Sequence, residues 1–182
     1  QLEVLYQYGK IRQIKKNGTV TFNYSYRFEG AEEVTEISDL EEDTLKTYKA
    51  ERLLNSLDRK TTVLSSYAYG SDGQVSRVNV TRYGRTLHTY DYSYEAQLTH
   101  VVDEKGVRRT YDEAQKLLRL KRESLTYGYS YHEDVDGEEI VEETLLERQL
   151  EDGAVVYYDT AEEAQIGSIH LADGSILREI HV

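Results

Sequence analysis

The sequence predicts an all-β protein: an antiparallel meander of tyrosine-rich hairpins that forms a long twisted or spiralling sheet. Three observations support this prediction, namely strict two-residue alternation within several segments, Asn-Gly and Asp-Gly dipeptides between them, and tyrosine-led segments that recur along the chain. Alternation is typical of half-buried strands, and these dipeptides are typical of hairpin turns. The 182 residues are enough to bury a core without metals or disulfides, and we expect residues 1–182 to form a single domain.

The clearest alternation lies in residues 20–28, where every second side chain is apolar and the others are polar or charged. The apolar face carries Val20, Phe22, Tyr24, Tyr26 and Phe28. The same period gives two tyrosine triplets further along, which are Tyr90, Tyr92 and Tyr94, and Tyr127, Tyr129 and Tyr131. Tyrosine suits such a face because it has high strand propensity and buries a large ring while its hydroxyl stays at a wet edge.

Turn signals separate the predicted strands. The dipeptides are Asn17-Gly18, Asp72-Gly73, Asp136-Gly137, Asp152-Gly153 and Asp173-Gly174. Residues of these types tolerate a positive φ, which a two-residue hairpin turn requires. The sequence therefore predicts hairpin after hairpin.

Residues 39–57 also fit a helix. Ser38 and Glu41 match a capping box, and the leucines that follow lie near helical spacing. However, the segment that begins at Tyr48 aligns with the one that begins at Tyr111, in which a tyrosine also leads to a pair of leucines. That alignment favours strands.

Six tyrosine-led segments share one plan: an aromatic opening, a small polar, Gly or Ala step, and then an aliphatic run. They begin at Tyr48, Tyr67, Tyr90, Tyr111, Tyr127 and Tyr158. In the middle of the chain they return every ~20 residues, a period that indicates a repeat architecture. Repeated units build a surface or a wall, whereas an active site needs unlike residues that converge.

The composition is unusual, with 17 Tyr, 2 Phe and no Trp, Cys, Met or Pro. Proline makes up ~5% of average sequences. Either this is a natural repeat protein with a narrow set of residue types, or it is a designed or consensus-built chain. The absence of cysteine excludes disulfides, thiolate metal sites and a cysteine nucleophile. No stretch approaches the ~18 apolar residues of a membrane span, so we expect no membrane insertion.

The net charge of −12 is unevenly distributed. Residues 29–43 carry acids and no base, and residues 133–152 carry many acids and one Arg, whereas residues 105–122 are locally basic. An acidic total argues against nucleic-acid binding, which needs a basic field. The charged runs are interpreted as solvated faces and turns, or as acidic and basic faces that meet between copies.

The tyrosine-led segments resemble the YD-repeat (Rhs) family, which has a Tyr-Asp opening, a Gly-containing turn and an aliphatic pair. The best matches are residues 90–102, 111–120 and 158–171. The family's usual Gly-Arg-Leu is replaced by Ala-Gln-Leu at 96–98, Ala-Gln-Lys at 114–116 and Ala-Gln-Ile at 164–166.

The resemblance implies a spiral wall, which encloses cargo in bacterial toxins and forms a large scaffold in teneurin-like cell-surface proteins. It also implies an extracellular or cell-surface location. The self-cleaving domain of toxin members uses a Pro-containing motif, so that activity is not carried over to this Pro-free chain.

Catalytic candidates lack motif partners. The five histidines are His88, His100, His132, His170 and His181, and none belongs to a metalloprotease or hydrolase motif. Asp134, Asp136 and Glu138 could begin a calcium loop or supply paired carboxylates, but they surround a predicted turn. We therefore assign no catalytic residue, metal or cofactor.

The expected function is a non-catalytic structural scaffold or shell-wall module, and not an enzyme. The first alternative is a carbohydrate- or peptide-binding module that uses exposed rings of the two tyrosine triplets. The second alternative is a designed β protein without a natural function. In the first two cases the expected partner is a protein or a carbohydrate.

An open sheet leaves two edge strands that invite other chains. Because proline is absent, charge is the expected guard of these edges. The expected guards are Lys10, Arg12, Lys15 and Lys16 near the N-terminus and Arg178, Glu179 and His181 near the C-terminus. We expect a monomer or a weak dimer through edge strands, with association increasing as the pH falls toward the pI of about 4.9.

Overall fold

The computed structural model describes residues 1–134, 136–159 and 165–178, and these form strands joined by short turns, with no helix. The strands, in chain order, are β1 (Leu2–Gln7), β2 (Lys10–Lys16), β3 (Thr19–Glu29), β4 (Glu32–Asp39), β5 (Thr44–Lys49), β6 (Arg52–Asp58), β7 (Val63–Tyr69), β8 (Val75–Arg82), β9 (Arg85–Glu95), β10 (Leu98–Asp103), β11 (Arg108–Tyr111), β12 (Leu117–Arg122), β13 (Leu125–Glu133), β14 (Glu139–Gln149), β15 (Val155–Tyr158), β16 (Ile166–His170) and β17 (Ile176–Arg178). Within these residues no helix is long and apolar enough to cross a membrane.

Each strand pairs antiparallel with its neighbours in the chain, and the 17 strands belong to one sheet. The predicted all-β antiparallel meander is therefore confirmed. The alternation in residues 20–28 lies within β3, whose tyrosines pair with Ile37 and Thr35 of β4.

The chain divides into two compact units, Gln1–Asp91 and Tyr92–Val182, with the boundary inside β9. Within each unit the strands contact only the strands that they pair with, so each unit is a single layer. Few side chains are buried as a result. The buried apolar residues are Val34 and Val78 in the first unit and Val101, Ala154 and Val156 in the second. Most apolar side chains are half-buried, because water reaches both faces of a one-layer sheet.

Residues 39–57 form strands, as the tyrosine alignment favours, and not a helix. Leu45 and Leu57 lie opposite each other on β5 and β6. The leucines therefore make cross-strand contacts and do not form the apolar face of a helix. The Asp39 carboxylate does act as a cap, but of a turn: its Oδ1 accepts hydrogen bonds from the backbone N–H of Glu41 (2.9 Å) and Glu42 (3.0 Å).

Asn17-Gly18 forms the predicted two-residue turn, with φ of 51° and 79°. Tyr8-Gly9 and Tyr83-Gly84 form turns with the same pair of positive φ angles. Ala50 and Glu51 also adopt positive φ (47° and 65°), although neither is glycine. The left-handed conformation costs an L-residue roughly 1–2 kcal/mol, so the strand pairing on both sides holds this turn.

The prediction of two-residue turns is wrong for the four Asp-Gly dipeptides. Each lies in a five-residue loop. The first residue donates its N–H to the carbonyl of the fifth, and the carbonyl of the first accepts a hydrogen bond from the N–H of the fourth. Among the described residues of these loops only the fourth, a glycine, has a positive φ, so the Asp before it cannot serve in a two-residue turn that needs positive φ at both positions. Among the described residues six loops share this plan, with first and fifth residues at 70–74, 103–107, 112–116, 134–138, 150–154 and 171–175.

Two of the positions where Ala-Gln replaces the family's Gly still turn tightly. Ala96 has a φ of 51° between β9 and β10. Gln115, the fourth residue of its loop, has a φ of 63°. The third replacement includes Ala164, which lies outside the described residues.

Several hairpins carry a β-bulge near the start of their second strand. The extra residue is Arg12 in β2, Leu54 in β6 and Leu118 in β12, as the register shifts show. A bulge leaves one residue unpaired and turns the next side chains toward the other face. These three bulges position the tyrosines described below.

The expected charged guards of the N-terminal edge are not at the edge. Lys10, Arg12, Lys15 and Lys16 lie on β2, which β1 and β3 cover on its two sides. All six residues of β1 are exposed, and its one charged residue is Glu3. Arg178 ends β17, whereas Glu179 and His181 lie outside the described residues. The pH-dependent association itself remains a prediction.

Candidate functional site

The two predicted tyrosine triplets lie on different strands, β9 and β13. Tyr127, Tyr129 and Tyr131 share a face of β13, opposite residues of β14, and all three are half-buried. Tyr90 belongs to the first unit, whereas Tyr92 and Tyr94 begin the second. Four strand spacings separate β9 from β13, or about 19 Å along the sheet. Tyr90 and Tyr92 are half-buried, and only Tyr94 is exposed (40%).

Three tyrosine hydroxyls bind the protein's own backbone at the bulges. Tyr26 donates to the carbonyl of Ile11 (2.9 Å), which immediately precedes the extra residue of the β2 bulge. The equivalent bonds run from Tyr69 to Leu53 (2.8 Å) and from Tyr131 to Leu117 (2.9 Å). We call these three contacts the tyrosine locks. In each lock the tyrosine lies on the strand that follows the bulged strand.

A cation lies over the ring in every tyrosine lock. The cation precedes the accepting residue in the chain: Lys10 is 4.7 Å from the centre of the Tyr26 ring, Arg52 is 5.4 Å from Tyr69 and Lys116 is 4.7 Å from Tyr131. Lys10 also pairs with Glu33, and Lys116 pairs with Glu139, in both cases 23 residues further along.

The tyrosine locks have a sequence signal that the tyrosine spacing alone misses. A Lys or Arg stands before Ile or Leu, and the donating tyrosine follows that aliphatic residue by 15, 16 or 14 positions. The lock is therefore a structural repeat within the chain, and its tyrosine is half-buried in each case.

Tyr129 bonds to a side chain instead: its hydroxyl donates to the Glu143 carboxylate on β14. Burial and this bond to a carboxylate raise the pKa of Tyr129 to about 12. The folded pKa lies above the ordinary 10.0, so this contribution to stability is complete below pH 10 and is lost between pH 10 and 12.

We therefore expect the free energy of unfolding of the wild type to fall between pH 10 and 12. The free energy of unfolding of Tyr129→Phe should fall less over the same range. Denaturant titrations at several pH values measure this difference. Tyr8→Phe is the control, because Tyr8 is 95% exposed and its substitution should leave the pH dependence unchanged. Equal pH profiles for the wild type and Tyr129→Phe would contradict the assignment.

The acids considered for calcium or hydrolysis hold a loop together. Asp134 accepts hydrogen bonds at Oδ1 from the backbone N–H of Asp136 and of Glu138, both at 2.9 Å. Its carboxylate is thus occupied by the loop that it begins. Among the described residues no group of three or more His, Cys, Asp or Glu is placed to hold a metal ion.

The histidines are dispersed. His170 packs against Tyr157, with ring centres 4.6 Å apart, and Nε2 of His132 lies 3.7 Å from a carboxylate oxygen of Glu142. His88 lies beside Tyr90 in the first unit, and His181 is outside the described residues. The remaining histidine, His100, lies in a groove that the sequence did not predict.

This groove occupies one face of the second unit and has a volume of about 470 Å³. We call it the basic groove. Its lining residues, from β10 to β14, are Leu98, His100, Arg108, Thr110, Leu118, Arg119, Lys121, Thr126 and Glu147. Three of the nine are permanent cations, and one is an acid.

The cations of the basic groove lie on two neighbouring strands, and Glu147 is the one acid among the lining residues. Arg108 pairs directly with Lys121, and Arg119 pairs with Thr110 two positions along the strands. Within the described part of the chain none of these three cations forms an ion pair. Like charges directly opposite each other on a sheet destabilise it by up to about 1 kcal/mol.

His100 is buried at the base of the basic groove (8% exposed). Its Nδ1 lies 2.9 Å from the hydroxyl oxygen of Thr110, which is also buried. The other ring nitrogen, Nε2, is buried and has no hydrogen-bond partner among the described residues. A carboxylate oxygen of Glu95 lies 3.8 Å away, beyond hydrogen-bonding distance. An unsatisfied buried polar atom costs roughly 1–3 kcal/mol.

The locally basic run at residues 105–122 was visible in the sequence, but its division between faces was not. Arg109 points to the opposite face from Arg108 and bonds to Asp103 (3.1 Å). The strand alternation is therefore the signal that separates the paired cation from the unpaired ones. No protein-family model matches this sequence, and comparison with curated proteins finds no match.

Proposed function

We propose that this chain is a non-catalytic structural module, a β-repeat wall or scaffold of the YD-like type. The observation that carries the proposal is the use of the tyrosine hydroxyls. At the three locks the hydroxyls of Tyr26, Tyr69 and Tyr131 donate to the chain's own backbone. Each of these bonds fixes a bulge, and the hydroxyl is not presented to a ligand.

The single-layer architecture supports the same proposal. Each strand contacts only its pairing neighbours within a unit, so the sheet can be lengthened by adding hairpins without redesigning a core. Such nearest-neighbour architectures build extended surfaces in repeat proteins. A wall of this kind would act outside the cell or at its surface, as the YD-repeat resemblance implies.

The alternative is a carbohydrate- or peptide-binding module. The observation that favours it is Tyr94, the exposed member of the two triplets, together with the half-buried rings of β13. Against it, Tyr129 and Tyr131 already donate their hydroxyls within the protein. A ligand would have to compete with these bonds.

Removing the hydroxyls distinguishes the two proposals. If the tyrosines are structural, Phe substitutions at the locks lower the free energy of unfolding. In that case the wild type does not bind neutral glycans or peptides. A binding module gives the opposite result: Tyr92→Phe, Tyr94→Phe or Tyr127→Phe abolishes saturable binding on a glycan or peptide array while stability is unchanged. That result would overturn the scaffold proposal.

A further inference from the structure

We propose that the basic groove is a binding site for a small ligand that carries two or more oxyanion groups, either phosphates or carboxylates. The groove is distinct from the tyrosine locks, and the inference does not depend on the scaffold function. A structural wall can carry a ligand site on one face.

Charge is the first argument. The chain has a net charge of −12, yet one face of its second unit gathers Arg108, Arg119 and Lys121. An acidic chain has carboxylates to place beside its cations, and it does so for Arg109, which is paired with Asp103. The groove cations are left unpaired within the described residues although Arg108 and Lys121 lie directly opposite each other. An anion between them would relieve this repulsion.

His100 supplies an independent argument. The residue lines the groove, and its buried Nε2 has no hydrogen-bond partner in the described part of the chain; a carboxylate oxygen of Glu95 lies 3.8 Å from it. When the Thr110 hydroxyl donates to Nδ1, the hydrogen of the imidazole lies on Nε2, which can then donate to a ligand oxygen. The orphaned donor and the unpaired cations therefore call for the same ligand atom, an oxygen that carries negative charge.

The dimensions and residue types define the ligand class. A volume of about 470 Å³ is within the range of small-molecule sites, which is roughly 300–1,000 Å³. The guanidinium groups of Arg108 and Arg119 can each take two oxygens of one carboxylate or phosphate, and Lys121 adds a point charge. Two arginines and one lysine carry more positive charge than a single monovalent anion would neutralise. Leu98 and Leu118 leave room for a short apolar segment between the charged groups.

The test is calorimetric titration of the whole chain with pyrophosphate and, separately, with citrate at low ionic strength. We expect saturable binding of at least one of them. Tighter binding of pyrophosphate identifies phosphates as the natural groups, and tighter binding of citrate identifies carboxylates. If neither anion binds saturably to the wild type, the proposal is wrong.

A matched pair of double variants separates a built site from general charge attraction. Arg108→Gln with Lys121→Gln removes two groove cations, and Lys105→Gln with Arg122→Gln removes two cations of the same basic run that do not line the groove. The groove variant should bind at least about tenfold more weakly, and the control should change by less than about twofold. Equal weakening in the two variants would overturn the proposal.

Nuclear magnetic resonance of the imidazole nitrogens gives a readout that needs no variant. On saturation of the wild type, the Nε2 resonance of His100 should shift, while those of His132 and His170, which lie outside the groove, should not. An unchanged His100 resonance at saturation would remove His100 from the site and contradict the proposal as stated.

Discussion

Asp103→Ala is expected to lower the free energy of unfolding by about 2–3 kcal/mol, because one carboxylate holds both a loop and a neighbouring cation. Oδ1 of Asp103 accepts hydrogen bonds from the backbone N–H of Lys105 and Val107, both at 3.0 Å. Oδ2 accepts from Nη1 of Arg109 at 3.1 Å. The side chain is 12% exposed, so water cannot replace all three bonds when alanine removes the carboxylate.

Chemical denaturation measures this loss, with Asp173→Ala as the matched control. Asp173 is the third residue of a loop of the same plan, but it is exposed, and its carboxylate accepts hydrogen bonds from the backbone N–H and the hydroxyl of Ser175. Its substitution should cause a smaller loss. Burial acts to raise the pKa of Asp103, but the bonds from Arg109, Val107 and Lys105 together outweigh it, so the pKa lies below the ordinary 3.8. The difference in the free energy of unfolding between the wild type and Asp103→Ala should therefore become smaller as the pH falls below 3.8. A pH-independent difference would contradict this account.

Gly153→Val should lower the free energy of unfolding by about 1–3 kcal/mol, because a β-branched residue adopts positive φ poorly. Gly153 is the fourth residue of its loop and has a φ of 86°. Its N–H bonds to the carbonyl of Leu150 at 3.0 Å, so the backbone cannot relax without breaking the loop. The next residue, Ala154, is 1% exposed, and a displaced loop would uncover it.

Gly153→Asn is the informative companion variant, measured in the same denaturant titrations. Asparagine tolerates positive φ better than valine, so most of the stability should be retained. The side chain itself has space, since a Cβ at this position would meet only the Cβ of Ala172, at an ordinary 3.6 Å. Equal losses in the Val and Asn variants would therefore assign the effect to packing and contradict the backbone explanation.

The strands could be predicted from the sequence because alternation is a local property. Residues 20–28 and the tyrosines of β13 show a period of two, and the structure places them in strands with that period. The loops were less accessible, because Asn-Gly and Asp-Gly both tolerate positive φ. In the structure Asn17-Gly18 forms a two-residue turn, whereas the four Asp-Gly dipeptides lie in the longer loops. The dipeptide alone therefore does not determine which loop forms.

The candidate site was harder to predict, because it depends on contacts between distant residues. The sequence indicates that Tyr131 shares a face with Tyr127 and Tyr129, but not that its hydroxyl reaches the carbonyl of Leu117, 14 residues earlier in the chain. That contact is made at the bulge at Leu118, and no local sequence pattern predicts this bulge. Likewise, residues 105–122 are visibly basic, but the burial of His100 depends on the pairing of β10 with β11.

The unfolding free energy of a tyrosine-lock double variant tests the central claim most directly. Tyr26→Phe with Tyr69→Phe removes both locks of the first unit, and each lost bond to a carbonyl should cost about 0.5–1.5 kcal/mol. The control is Tyr6→Phe with Tyr8→Phe, which removes two hydroxyls from rings that are 66% and 95% exposed. The structural account predicts a loss of about 1–3 kcal/mol for the lock variant and less than about 0.5 kcal/mol for the control. Equal stability of the two double variants would contradict the claim that the repeated tyrosines hold the sheet together.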